Sequence, residues 1–240
     1  MKLLISNQHG AIVMALLPFC YGVMLSSPIM LHLSLLLAWF SLYLMTYPFL
    51  ALFKGRNLSL YWRWTLIYGS TSLLFALPAI WYNPNILYFL AAMLPFVLIN
   101  IYYSKTKNER AFLNDLAAII IFALAGMCAY YFPQSQWDYH LIEIALYPSF
   151  FFIGTTLYVK SVMRERKNPK YYYASCIFHF LCVLFPLGLS NILLSIAFLL
   201  PLIRAIFLPK RNLSVKQVGL IEFAISFYFL LILYGATGIN

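Results

Sequence analysis

Apolar residues run along this chain in long blocks, separated by short polar turns. A bilayer core about 30 Å thick needs roughly 20 apolar residues in helical form. Nine stretches have that character: 10–27, 29–53, 64–81, 86–103, 112–132, 139–159, 171–187, 191–208 and 218–234. Turn residues mark the breaks at Ser26-Ser27-Pro28, Asn83-Pro84-Asn85, Pro133-Gln134-Ser135 and Gly188-Leu189-Ser190. Tyr and Trp gather at the block ends, as at Tyr61-Trp62, Trp81-Tyr82, Trp137 and Tyr171-Tyr172-Tyr173, which is the pattern of a membrane-interface belt. The pattern predicts an all-α, polytopic membrane protein with about nine crossings, forming one transmembrane domain over residues 1–240.

Composition agrees. The 240 residues are 64% hydrophobic and 9% charged, where a soluble domain carries roughly 25% charged residues. The net charge of +10 would suggest nucleic acid in a soluble chain. Here the positive charge tracks topology and anionic lipid, so no nucleic-acid partner is expected.

The sixteen Lys and Arg fall at Lys2; Lys54, Arg56 and Arg63; Lys105, Lys107 and Arg110; Lys160, Arg164, Arg166, Lys167 and Lys170; and Arg204, Lys210, Arg211 and Lys216. They occupy every second connection, while the turn around Asp138 and Glu143 is acidic. Basic loops stay cytoplasmic, so the N-terminus is expected inside and the C-terminus outside. The polar Asn7-Gln8-His9 interrupts the start, so no cleavable signal is expected. A loose similarity between 47–57 and 158–168 suggests a parallel repeat of four and four helices, about 10–103 and 112–208, plus a ninth.

Five polar constellations lie at cytoplasmic helix ends or just inside them. Asn7 and His9 precede the first helix, where free N–H groups can hold an anion. Lys105, Glu109, Arg110, Asn114 and Asp115 lead into the fifth helix, and Asn108 and Asp115 share a face if that stretch is helical. Lys160, Arg164 and Lys167 are spaced i, i+4, i+7, which makes a basic helical face suited to phosphate, with Glu165 between them. His179 lies inside the seventh helix and needs a partner there. Arg204, near the end of the eighth helix, is in a position to snorkel; Glu222 lies deeper in the ninth, with Arg204 as its candidate partner. Capping, lipid-facing charge and satisfied helix polarity are the simpler readings of each. The four cysteines form no CxxC or Cys/His pattern, so no metal site is indicated.

The opening Asn7-Gln8-His9-Gly10-Ala11 with Leu16-Leu17-Pro18 and Gly22 resembles the YwiC-like family of bacterial membrane proteins. So do Asn108-Glu109-Arg110, Leu113-Asn114-Asp115, Arg164-Glu165-Arg166 and 216–222. More distantly, Gly10 to Pro18 and Tyr102-Tyr103-Ser104-Lys105 are similar to the UbiA superfamily of intramembrane prenyltransferases. That likeness implies nine helices, two parallel four-helix repeats and a cytoplasm-facing cavity. It also implies Asp-rich motifs that seat Mg²⁺ on a diphosphate, and these depart here. Thr46 to Leu50 stand in place of the first motif, and the basic 160–167 run, with Glu165 as its acid, in place of the second.

The resulting expectation is a UbiA-like bundle in the bacterial cytoplasmic membrane, binding an anionic amphiphile such as an isoprenoid or lipid phosphate. Asn7, His9, Lys105, Arg110, Asn114, Lys160, Arg164, His179, Arg204 and Glu222 are its candidate ligand contacts. No cofactor is expected: Mg²⁺ would fit the resemblance, but its motifs are absent. The alternatives are a prenyl or lipid transferase using Asp115, Glu109 or Glu165, and a small permease or accessory subunit of a membrane complex.

Overall fold

A computed structural model describes residues 4, 9–55, 57–211 and 213–238, with the backbone alone for His9 and Lys210. Among the described residues there are nine α-helices and no strand. They are α1 (His9–Leu25), α2 (Leu31–Leu52), α3 (Leu58–Tyr82), α4 (Leu87–Lys105), α5 (Phe112–Tyr131), α6 (Tyr139–Val159), α7 (Pro169–Gly188), α8 (Ile192–Phe207) and α9 (Val215–Thr237). Seven are long and apolar enough to cross a membrane, whereas α1 and α8 are shorter apolar helices. Large apolar side chains stand outward, such as Leu74, Trp81, Leu98 and Phe223. In water such a surface would aggregate; in a bilayer it is the lipid-facing side.

Local chemistry explains the helix ends. Asn168 accepts a hydrogen bond from Lys170 N at 3.1 Å, and Pro169 follows it as the first residue of α7. Asn191 accepts from Leu194 N at 2.9 Å to start α8. Ser214 and Gln217 form a reciprocal capping box at the start of α9. Asn83 accepts from Asn85 N, and its amide donates to Phe132 O at 2.8 Å and Ser135 Oγ at 3.0 Å, tying the α3–α4 turn to the end of α5.

The chain divides into two compact units, Met1–Ala145 and Leu146–Asn240. In the first, α1 packs along α5, α2 along α3, and α4 along α5. The α1–α5 crossing is backbone to backbone: a Cβ on Gly22 would lie 2.1 Å from Gly126 O, and one on Gly126 would lie 2.5 Å from Pro18 O. Small residues permit this approach, which supplies dispersion where lipid removes the hydrophobic drive between helices. Ser72 Oγ donates to Ala38 O at 2.8 Å and Ser34 Oγ to Phe75 O at 2.6 Å, linking α2 and α3. Trp39 Nε1 donates to Ala15 O at 2.8 Å, and Phe19, Trp39, Phe122 and Phe132 fill the core.

In the second unit, α7 packs on α8 and α8 on α9. The buried positions of each helix repeat at helical spacing: Phe151, Gly154 and Tyr158 on α6; Ser175, His179, Cys182 and Pro186 on α7; Glu222, Ile225, Ser226, Phe229 and Leu233 on α9. Phe151 stacks on Phe229 with centroids 4.2 Å apart, and Phe198 meets Phe229 edge-on at 5.1 Å.

Candidate functional site

The inward stripes of the second unit carry polar residues at a shared level, and these converge on Arg204. Arg204 is buried at 2% exposure; its guanidinium turns into the bundle and does not snorkel. Nη1 donates to Glu222 Oε2, and Nη2 lies 3.0 Å from His179 Nε2. Thr155 Oγ1 sits at the longer distances of 3.5 and 3.4 Å from the two terminal nitrogens. The Tyr158 ring lies beneath the guanidinium, with Cζ 4.4 Å from its centroid. Each contact offsets part of the cost of holding a cation inside a membrane: a counter-ion, a lone pair and a π face.

The hydrogen bonds also fix the state of His179. Its Nδ1 lies 2.7 Å from Ser175 O. A carbonyl accepts only, so Nδ1 carries the proton. Nε2 then offers its lone pair to Arg204, which can only donate. His179 is therefore the neutral Nδ1–H tautomer. Gly154 makes room for it: a Cβ there would lie 2.8 Å from Nε2. Three buried polar atoms around this centre have no hydrogen-bond partner among the described residues, namely Arg204 Nε, Glu222 Oε1 and Tyr158 Oη.

The cluster lies near the C-terminal end of α8 and the N-terminal part of α9. Arg204 is three residues from the end of α8, and Glu222 is the eighth residue of α9. At 1.5 Å per residue, Glu222 sits about 10 Å inside its helix start.

The other expected residues distribute differently. In the first unit, Lys54 Nζ pairs with Glu109 Oε1 at 2.6 Å, and Ser104 Oγ donates to the same oxygen at 3.2 Å. Asn114 Nδ2 donates to Glu109 O at 2.9 Å, while Asn100 Nδ2 donates to Asn114 Oδ1 at 2.8 Å. These bonds tie the ends of α2, α4 and α5 together. Lys105 and Arg110 are exposed, and Asp115 is half-buried in the first turn of α5, where a carboxylate complements the helix dipole. Residues 106–111 form a turn, so Asn108 does not share a helical face with Asp115. Asn7 and the side chain of His9 lie outside the described residues.

The basic face expected from Lys160, Arg164 and Lys167 does not form. Residues Lys160–Arg164 make a π-helical turn, closed by Glu165 N to Lys160 O at 2.7 Å, after which the chain leaves the helix. The wider turn breaks the i, i+4, i+7 alignment. Lys160 is buried at 5% exposure, whereas Arg164, Glu165 and Lys167 are exposed.

Thr155, Tyr158, Ser175 and Gly154 belong to the cluster and were not singled out from the sequence. Their signal is spacing: 151, 154, 155, 158 and 162 form one helical stripe, which an all-apolar block conceals. His32 was missed as well. Its Nε2 lies 3.0 Å from Ala129 O and its Nδ1 accepts from Ile29 N at 3.0 Å, joining the start of α2 to α5. On the acidic side, Tyr130 Oη donates to Asp138 Oδ2 at 2.6 Å, and His140 pairs with Glu143 at 2.8 Å.

The first unit contains an apolar cavity of about 300 Å³ lined by Phe19, Trp39, Phe89 and Met93. Its lining carries no charged side chain, and the Ser72 hydroxyl there is bonded to Ala38 O. The cavity has nothing with which to orient a polar group, so the Arg204 cluster is the stronger candidate. Among the described residues, no group of three or more His, Cys, Asp or Glu is placed to hold a metal ion.

Residues 5–130 match the YwiC-like protein family. The chain is 35% identical to the uncharacterized protein YwiC of Bacillus subtilis, over 97% of this chain and 98% of the relative. This chain belongs to the YwiC-like family. It is also 59% identical to an uncharacterized protein of Haemophilus influenzae, over 99% of this chain and all of that one. No solved structure matches. The Arg204 cluster lies beyond residues 5–130, within the stretch that both full-length relatives span.

Proposed function

We propose that this YwiC-like membrane protein binds an anionic amphiphile, an isoprenoid or lipid phosphate, on the cytoplasmic side of a bacterial cytoplasmic membrane, with the headgroup at Arg204. The observation that carries this reading is a desolvated guanidinium whose Nε, together with Tyr158 Oη beside it, has no hydrogen-bond partner among the described residues. Buried polar atoms are normally satisfied, and those that are not mark places where another group belongs. Phosphate oxygens accept from both a guanidinium N–H and a phenol. Arg164, Arg166, Lys167, Lys170 and Arg211 are exposed at or beside the end of the π turn after α6, the start of α7 and the end of α8, where they raise the local concentration of anions. The likeness to the UbiA superfamily supports the same ligand class.

The test is native mass spectrometry with lipid extraction on gently solubilised protein, comparing the natural chain with Arg204→Gln and Arg164→Ala. One co-purifying lipid or isoprenoid phosphate, lost in Arg204→Gln and reduced in Arg164→Ala, is the expected result. Bulk lipid in equal amounts in all three would remove the ligand reading and favour a permease or complex subunit.

A further inference from the structure

We infer that Glu222 is a proton-binding site, and that an anionic headgroup loads at Arg204 together with one proton. The inference rests on the headgroup reading above and names how that site is controlled.

The argument starts from charge. Arg204 is not an empty cation, because Glu222 already neutralises it inside the bundle. The groups that face the pair come from four helices: Thr155 and Tyr158 of α6, His179 of α7, Arg204 of α8 and Glu222 of α9. Ser175, behind His179, presents its carbonyl at 2.7 Å and, at the longer distance of 3.4 Å, its hydroxyl to Nδ1; neither carries a charge. Other titratable groups on these helices include Lys160, beyond Tyr158 in the π turn, the thiols of Cys176 and Cys182 on α7, and Lys216, Tyr228 and Tyr234 on α9; Tyr139, His140, Glu143 and Tyr147 lie earlier on α6, and Lys170 to Tyr173 open α7. Lys160 follows Tyr158 by two residues, so it points to a different side of the helix from the Tyr158 ring.

Adding an anion to a pair that sums to zero leaves one uncompensated negative charge in a low-dielectric setting, which is strongly unfavourable. A proton taken up at the same time restores the balance. Two groups beside Arg204 can take one. His179 is the poor choice, because both of its ring nitrogens would then donate, and Nε2–H would face the guanidinium N–H that now bonds to it at 3.0 Å. Glu222 is the good choice. Its Oε1 is buried and has no partner among the described residues, so a proton added there breaks no bond among them.

The step balances simply. A proton from water bonds to Glu222 Oε1, the carboxylate becomes a neutral acid, and no electrons are transferred. Oε1 changes from acceptor to donor. Arg204 Nε, Tyr158 Oη and Glu222 Oε1, the three unsatisfied atoms, can then all donate to headgroup oxygens. The ionised carboxylate is thus a built-in competitor that holds Arg204 until ligand and proton arrive together.

The experiment uses the full chain in detergent with dioctanoyl phosphatidylglycerol as probe, because its phosphodiester keeps one negative charge across the working range. Dioctanoyl phosphatidylcholine is the neutral-headgroup control. Affinity is measured from about pH 8 down to about pH 5.5, and the heat of binding in two buffers of different ionisation enthalpy counts protons. The expected result is affinity rising as pH falls, by up to tenfold per pH unit, with close to one proton taken up per lipid. Glu222→Gln should bind tightly at every pH with no proton uptake, and Glu222→Asp should restore the slope. The proton count on the natural chain stands even if these variants fold poorly. Binding of equal strength at all pH values, with no proton uptake, overturns the coupling and leaves the headgroup reading intact. No binding of the probe at any pH overturns both.

Discussion

Gly154 and His179 are matched across the α6–α7 contact: the missing side chain of the glycine is the space the imidazole occupies. A Cβ on residue 154 would stand 2.8 Å from Nε2, 3.0 Å from Cε1 and 3.3 Å from Cδ2. The imidazole in turn meets Arg204, so a hydrogen atom on α6 helps set the position of a guanidinium on α8.

Gly154→Ala should therefore displace His179 and destabilise the fold by about 1–3 kcal/mol, the usual range for an overpacked core. The check is thermal unfolding in detergent, with Gly154→Ala also placed in a His179→Ala background. There the added methyl should cost much less than in the natural chain. An equal cost in both backgrounds would show that the imidazole is not what the methyl meets.

Arg204 and Glu222 should behave as a unit. Arg204→Met or Glu222→Met alone leaves an opposite charge buried and should cost about 3–5 kcal/mol. The double variant removes both charges and should recover most of that loss. A double-mutant cycle from unfolding in mixed micelles measures the coupling. Simple addition of the two single costs would mean that the ion pair contributes nothing.

The α1–α5 crossing should be equally intolerant. Gly22→Ala and Gly126→Ala each drive a methyl into a backbone carbonyl, at 2.1 and 2.5 Å, and a backbone cannot rotate away. A loss of at least about 2 kcal/mol is expected. Gly10→Ala and Gly219→Ala meet nothing within 4 Å and serve as controls; they should lie within about 0.5 kcal/mol of the natural chain.

Topology can be read with a membrane-impermeant maleimide. The native Cys20, Cys128, Cys176 and Cys182 lie within helices as thiols rather than disulfides and can be replaced first. Gln136→Cys and Ser190→Cys, both at exposed turns, should label in intact cells. Lys105→Cys and Lys167→Cys should label only after permeabilisation. The reverse pattern would invert the orientation taken from the basic loops.

Much of the fold is legible in the chain because membrane helices announce themselves by length and polarity. The block 139–159 coincides with α6, and the eight others overlap their helices closely. The largest departure is α3, which begins at Leu58 where the apolar block begins at 64. Tyr61, Trp62 and Arg63 look like interface, yet the helix simply continues through it. The Arg204–Glu222 contact was also within reach, since a buried charge requires an opposite one. His179 and Arg204 stood apart in the sequence because their meeting depends on how α7 and α8 cross. The basic run from Lys160 misleads for a local reason: one wide turn rotates the residues after it out of step.

That wide turn amounts to a single extra residue lodged in an α-helix. Removing one residue from 160–164 would let α6 continue in regular register, without disturbing Phe151, Gly154, Thr155 and Tyr158 above it. It would swing the loop that follows by roughly 100° about the helix axis. The length of the chain at this one point therefore decides where the exposed arginines and lysines stand relative to the buried one. In this unit, a change in residue count can alter the molecule more than a change in residue type.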